Sequence, residues 1–135
     1  MKFDLKLIGY ITTFENYTKS KVRDCFFKDN ELIIIVQKGN MGKALGKNGI
    51  NIKQLGPKLK HKLRVIEFND DPCSFLKNLL APLDGFNLER VDDSVIIKTE
   101  DTRIKGRIFG RDKSNFHWIQ EVFQRHFKYL EVKVE

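Results

Sequence analysis

Apolar residues recur along the chain in two rhythms, one with the period of a helix and one with that of a strand. Leu7, Tyr10, Ile11 and Phe14 fall at helical intervals and Leu5 and Ile8 widen the same face, so a packed helix is predicted over Leu5 to Phe14. Val22 to Lys28 and Leu32 to Lys38 then read as two strands around the polar turn Asp29-Asn30, the second carrying the β-branched run Ile33 to Val36. Gly39-Asn40 ends that strand, and a short helix is predicted through Met41 to Leu45. A glycine turn leads into a helix with Ile52 and Leu55 on one face, and Leu63 to Phe68 is the closing strand. Gly56-Pro57 falls inside that last helix. A proline there lacks an amide donor and crowds the preceding turn at a cost of roughly 3 kcal/mol, which predicts a kink or two short helical pieces.

The same order then repeats. Asp71-Pro72 suits a helix start, because the carboxylate accepts from orphan amides and proline lacks a donor that the first turn cannot use. Phe75, Leu76, Leu79 and Leu80 supply its buried face, and Ala81-Pro82 stops it. Strands are predicted over Phe86 to Val91 and Ser94 to Lys98, helices over Arg103 to Phe109 and Ser114 to Phe127, and a last strand over Leu130 to Val134. In the long helix Phe116, Ile119, Val122, Phe123 and Phe127 are spaced to face a core, while Glu121, Gln124 and Lys128 point elsewhere. Phe26 and Phe27 also occupy core-compatible positions.

The repetition is visible in the residues themselves. Gly42-Lys43-Ala44-Leu45-Gly46-Lys47-Asn48-Gly49-Ile50-Asn51 returns 64 residues later as Gly106-Arg107-Ile108-Phe109-Gly110-Arg111-Asp112-Lys113-Ser114-Asn115. In 135 residues this predicts two α+β domains, 1–69 and 70–135, each of order α-β-β-α-α-β. Domains so small are marginal alone, and the join Asn69-Asp70-Asp71 is short, so the two are expected to pack rigidly together.

Composition adds that the chain is globular, 41% hydrophobic and 32% charged. It has no apolar run of membrane-spanning length and no signal-peptide pattern over Met1 to Tyr10, so a cytoplasmic protein without membrane association is expected. Cys25 and Cys73 share no ligand spacing with His61, His117 or His126, so no metal, disulfide or cofactor is expected, and Cys25 reads as a small core residue. The net charge of +7 is uneven: residues 1–68 hold 14 Lys+Arg against 6 Asp+Glu, and residues 69–135 hold 11 against 12. The first half should dominate attraction for a polyanion.

The glycine turns give that attraction a site. A G-x-x-G turn between helices presents backbone amides, and the missing Cβ atoms let a sugar-phosphate chain lie against it. Gly46-Lys47-Asn48-Gly49 fits in full; Lys47 stands at the tip, and Lys43 and Lys53 flank it one turn earlier and later. Bases would lie over an apolar groove formed by the turn's helices and the strand Leu32 to Val36. Arg107, Gly110, Arg111 and Lys113 form the second candidate cluster. The bland alternative is a pair of tight helix-helix turns with no ligand.

A nucleotide-hydrolysing loop is excluded by spacing. The phosphate-loop pattern needs four residues between its glycines and a hydroxyl for magnesium, whereas Gly42 and Gly46 enclose three and Asn48 occupies the hydroxyl position. No nucleophile-base pair or paired carboxylates suggest catalysis, so the chain is not expected to be an enzyme.

These residues resemble the K-homology (KH) family, and the element order resembles its prokaryotic type II. More narrowly, Lys38 to Gly49 with Asn51-Ile52, together with Val22-Arg23-Asp24-Cys25, Asp71-Pro72, Phe75, Lys77-Asn78 and Ala81-Pro82, resemble archaeal NusA-like transcription factors. Such proteins resemble the tandem KH part of bacterial NusA without its polymerase-binding N-terminal domain and its S1 domain. The resemblance implies single-stranded RNA binding in transcription termination or elongation; RNA polymerase is expected as a further partner, and the protein is expected to be a monomer. A ribosome-associated KH protein and a protein-protein adaptor are the alternatives. The second turn departs from the pattern: Lys113 stands where glycine normally closes it, and Asp112 puts an anion at the tip. That unit is therefore expected to bind weakly or through side-chain cations. His117 and Trp118, just beyond, are candidates to stack on a base.

Overall fold

The computed structural model describes residues 5–135; the first four residues of the predicted first domain lie outside the described residues. The chain divides into two compact units, Met1–Asn69 and Asp70–Glu135. The first comprises α1 (Leu5–Thr18), β1 (Val22–Lys28), β2 (Glu31–Val36), α2 (Met41–Leu45), α3 (Ile50–Leu59) and β3 (Lys62–Glu67). The second comprises α4 (Pro72–Leu80), β4 (Asn87–Val91), β5 (Ser94–Lys98), α5 (Thr102–Phe109), α6 (Ser114–His126) and β6 (Glu131–Val134).

In the first unit the strands lie in the order β1-β2-β3. β1 and β2 are an antiparallel hairpin, with Cys25 opposite Ile34, whereas β2 and β3 are parallel, with Ile34 opposite Val65. A parallel pair cannot be closed by a tight turn and needs a crossover. Here α2, the glycine turn and α3 are that crossover, so the turn is fixed at both ends to one sheet. The second unit repeats the plan in the order β4-β5-β6, with α5, a turn and α6 joining the parallel β5 and β6.

The structure follows the predicted elements and most of their predicted faces, with corrections. Phe14 is fully buried and Leu7, Tyr10 and Ile11 pack against the core, but Leu5 and Ile8 are exposed, so the apolar face of α1 is narrower than predicted. Phe27 is exposed rather than in the core; its ring lies by those of Tyr10 and His61, at centroid distances of 6.0 and 5.0 Å. Odd-numbered positions from Cys25 to Phe27 face the helix side, and Phe27 lies far enough along the edge strand to overhang it. The third correction concerns Pro57, which neither divides α3 nor splits it into pieces. It falls in the last turn, where only the carbonyl of Lys53 loses a donor before the chain leaves the helix at Lys60, whose φ is +60°.

β2 is buried along its length. Leu32, Ile34 and Val36 join the core beneath the helices, while Ile33 and Ile35, on the other face, are flanked in register by Phe26 and Ile66. α1 is held at two points: the Tyr10 hydroxyl lies 2.9 Å from Nε2 of His61, between α3 and β3, and the Tyr17 hydroxyl donates to Oε1 of Gln54 in α3. Cys25 is a core residue, and burial, with the neighbouring Asp24 carboxylate second, pushes its thiol up to about 12. In the second unit Phe75 stacks on Phe123, and Ile119, Val122 and Phe123 line the buried face of α6; Phe116 and Phe127 are only half-buried. Asp71 caps α4 through the Ser74 amide and hydroxyl, whose hydrogen bonds hold its carboxyl below the ordinary value.

Candidate nucleic-acid interface

The two glycine turns share one backbone path. Gly46 has φ +70°, Asn48 has φ +56° and Gly49 has φ +72°, and their counterparts Gly110, Asp112 and Lys113 have +70°, +55° and +61°. Lys113 thus holds the left-handed conformation that Gly49 takes freely, at a steric cost of about 1–2 kcal/mol.

Each turn is braced by an asparagine that the sequence pattern contained but did not single out. Asn51 Nδ2 donates to the Lys43 carbonyl at 2.9 Å, and Asn115 Nδ2 donates to those of Arg107 and Ile108 at 3.2 and 3.1 Å. These bonds occupy carbonyls that the last turn of a helix leaves without donors. The signal was the constant offset, since Asn51 and Asn115 are equivalent positions.

The two glycines of the first turn do different work. A Cβ on Gly46 would lie 2.8 Å from the Asn51 side chain, so Gly46 makes room within the protein. A Cβ on Gly49 would meet nothing within 4 Å, so the bare backbone there faces open space. Gly46 N–H bonds to Gly42 O and Gly49 N–H to Gly46 O, at 2.9 and 3.2 Å. The intervening amides of Lys47 and Asn48 donate to no backbone acceptor among the described residues. Lys43, Lys47, Asn48 and Lys53 are exposed, and none of the three lysines has an ion-pair partner among the described residues. Ile50, immediately after the turn, is 45% exposed and adds an apolar surface that the sequence reading passed over.

The predicted groove wall needs correction. All of Leu32 to Val36 is fully buried, so β2 offers no side chain to a base. β3, an edge strand, lies beside α2. Pairing on both sides is the cause of the burial, since it puts β2 in the middle of the sheet.

In the second unit Arg107, Arg111 and Lys113 are exposed around Gly110, and Lys113 Nζ lies 5.9 Å from the Phe109 ring centroid. His117 is exposed beside Phe116, but Trp118 is half-buried with its Nε1 buried, so the indole is not an open platform. A depression of about 900 Å3 elsewhere in this unit is lined by Asp84, Glu100, Asp101 and Glu135 as well as Lys98 and Lys105, which does not suit a polyanion. Among the described residues no group of three or more His, Cys, Asp or Glu could hold a metal ion, and no helix is long and apolar enough to cross a membrane.

A three-stranded mixed sheet whose crossover carries a braced G-x-x-G turn defines a KH domain, and the KH domain family matches residues 9–70. The "Probable transcription termination protein NusA" of Methanocaldococcus jannaschii is 31% identical over 134 residues, covering 97% of this chain and 72% of that protein. The protein of the same name from Halobacterium salinarum is 26% identical over 119 residues, covering 87% of this chain and 86% of its own. The crystal structure of APE1850 superposes with a TM-score of 0.72 at 26% identity, over 98% of this chain and all of that one. The chain belongs to the family of archaeal NusA-like KH proteins.

Proposed function

We propose that this protein binds single-stranded RNA through the turn Gly46-Lys47-Asn48-Gly49 and acts in transcription termination or elongation. The observation that carries the RNA assignment is the state of that turn. Two amides lack backbone acceptors, the Cβ-free Gly49 faces open space, and Lys43, Lys47 and Lys53 stand around them without carboxylate partners. Amides and cations converging on one bare backbone segment suit a sugar-phosphate chain and no smaller chemistry present here. The transcription assignment is supported by the names of the relatives, and RNA polymerase is the partner it implies.

The second unit is proposed to be a degenerate KH domain, supported by its identical element order and turn path. It contributes Arg107, Arg111 and Lys113 as side-chain cations around Gly110, with weaker contact because Lys113 fills the approach that Gly49 leaves open and Asp112 repels phosphate.

Fluorescence anisotropy with short single-stranded RNA, and duplex RNA for comparison, tests the site. Lys47→Asp/Asn48→Asp should weaken single-strand binding at least about tenfold and flatten its salt dependence. Equal binding by variant and wild type would remove the turn from the interface. Purification of the tagged protein from native extract tests the context: polymerase subunits are expected, and ribosomal particles alone would reject a transcription role.

A further inference from the structure

We infer that the exposed face of α3 is a second stretch of phosphate-binding surface, which carries an RNA chain onward from the glycine turn. The inference rests on the RNA-binding reading of that turn and extends it to Lys58 and Lys60, which lie outside it.

The first observation is a charge imbalance with an internal control. Residues 32–66, from β2 into β3, contain eight Lys+Arg and no Asp or Glu, whereas the matching stretch of the second unit, 95–135, contains nine Lys+Arg and six carboxylates. A merely solvated surface mixes signs, because like charges held close together repel one another and destabilise the fold. The second unit does mix them.

The second observation is where these cations sit. α3 leaves the turn with Ile50 exposed, and its outward face continues through Gln54 and Pro57. Lys53 stands at one edge of that face, and Lys60 follows just past the end of the helix, where the chain turns with φ +60°. Lys58 stands on the other edge, its Nζ 5.5 Å from the centroid of the Tyr17 ring, whose hydroxyl donates to Gln54. All three lysines are exposed. A chain laid along the helix from the turn would therefore have ammonium groups on both sides and no anion beneath it. Among the described residues of α1 the one carboxylate is Glu15, whose Oε2 accepts from the Val22 amide at 2.9 Å, and Glu31 lies opposite Lys62, beyond the end of α3. Counted from the start of each helix, α6 has His117 and Val122 where α3 has Lys53 and Lys58. The surface belongs to the first unit alone.

The test uses the full chain with Lys58→Gln/Lys60→Asn, the asparagine chosen because it accepts the left-handed backbone at position 60. Mixed-sequence single-stranded RNA pools of about four nucleotides, the span of one G-x-x-G clamp, are compared with pools four times as long. The variant should bind the short pool like wild type and the long pool roughly five- to tenfold more weakly, with the salt slope reduced by about 1.4 for two lost phosphate contacts. Lys58→Arg/Lys60→Arg should restore the long-pool affinity. Unchanged long-pool binding, with Lys47→Asp/Asn48→Asp still abolishing it, would overturn the α3 surface and leave the turn intact. Loss of poly-glutamate binding with RNA binding unchanged would assign the face to an acidic protein and likewise overturn it. If the turn variant changed neither pool, the underlying RNA site would fail instead.

Discussion

At Gly46 and Gly49 two residues of the same type, three apart, are needed for opposite reasons. Gly46→Ala would combine φ +70° with a contact 2.8 Å from Asn51, so it should cost about 1–3 kcal/mol of stability in urea unfolding. Gly49→Ala meets open space and should cost only the left-handed strain of about 1–2 kcal/mol, while reducing RNA affinity in anisotropy titrations. Lys113→Gly is the converse. Release of left-handed strain offsets the extra chain entropy of glycine, so thermal stability should not fall, and RNA binding should tighten if the second turn is blocked by that side chain. Thiol chemistry provides an independent check. With its pKa pushed up to about 12, Cys25 should resist alkylation in the native protein while Cys73, half-exposed, reacts. Its contribution to stability is fully present below the unfolded thiol value of 9.0 and is lost as pH rises from there towards about 12. No local pattern separates the two glycines, because their roles depend on Asn51 lying across one and nothing lying across the other.

At the scale of elements, periodicity found every helix and strand, and its errors lie at edges. Leu5 and Ile8 continue the apolar rhythm of α1 past the end of the core, and a rhythm carries no information about where its partner surface stops. Pro57 was expected to break α3, but the penalty falls on one carbonyl in a last turn that was about to end. Pro57→Ala should therefore change stability by no more than about 1 kcal/mol in denaturant unfolding, the regained hydrogen bond being offset by the freer unfolded chain, without altering helix content by circular dichroism. The cap of α4 was legible as Asp71-Pro72. Removing its acceptors in Asp71→Ala should cost about 1 kcal/mol. Because hydrogen bonds from Ser74 lower the Asp71 pKa, the stabilisation holds above the ordinary carboxylate value of 3.8 and is lost as pH falls through the lowered one. A melting series from neutral to acid pH, with D71A as reference, reads this directly.

For the whole molecule, the charge count already divided the chain into a strongly basic first part and a balanced second. Chemical-shift perturbation by a short single-stranded RNA should concentrate on residues 38–62, and perturbation centred on 100–115 would contradict that division. Repeated element order, the glycine turns with their flanking cations and the long apolar strand were all determined by local pattern, because each depends on residues close together in the chain. Tertiary structure alone decided the rest. Pairing with β1 and β3 places β2 in the middle of the sheet, and all of Leu32 to Val36 is fully buried there. Asn51 folding back on the turn makes Gly46 structural, while Gly49 faces open space and the amides of Lys47 and Asn48 have no backbone acceptor among the described residues. Strand order and the space around a backbone atom are set by what other segments bring alongside, and a linear pattern does not contain that.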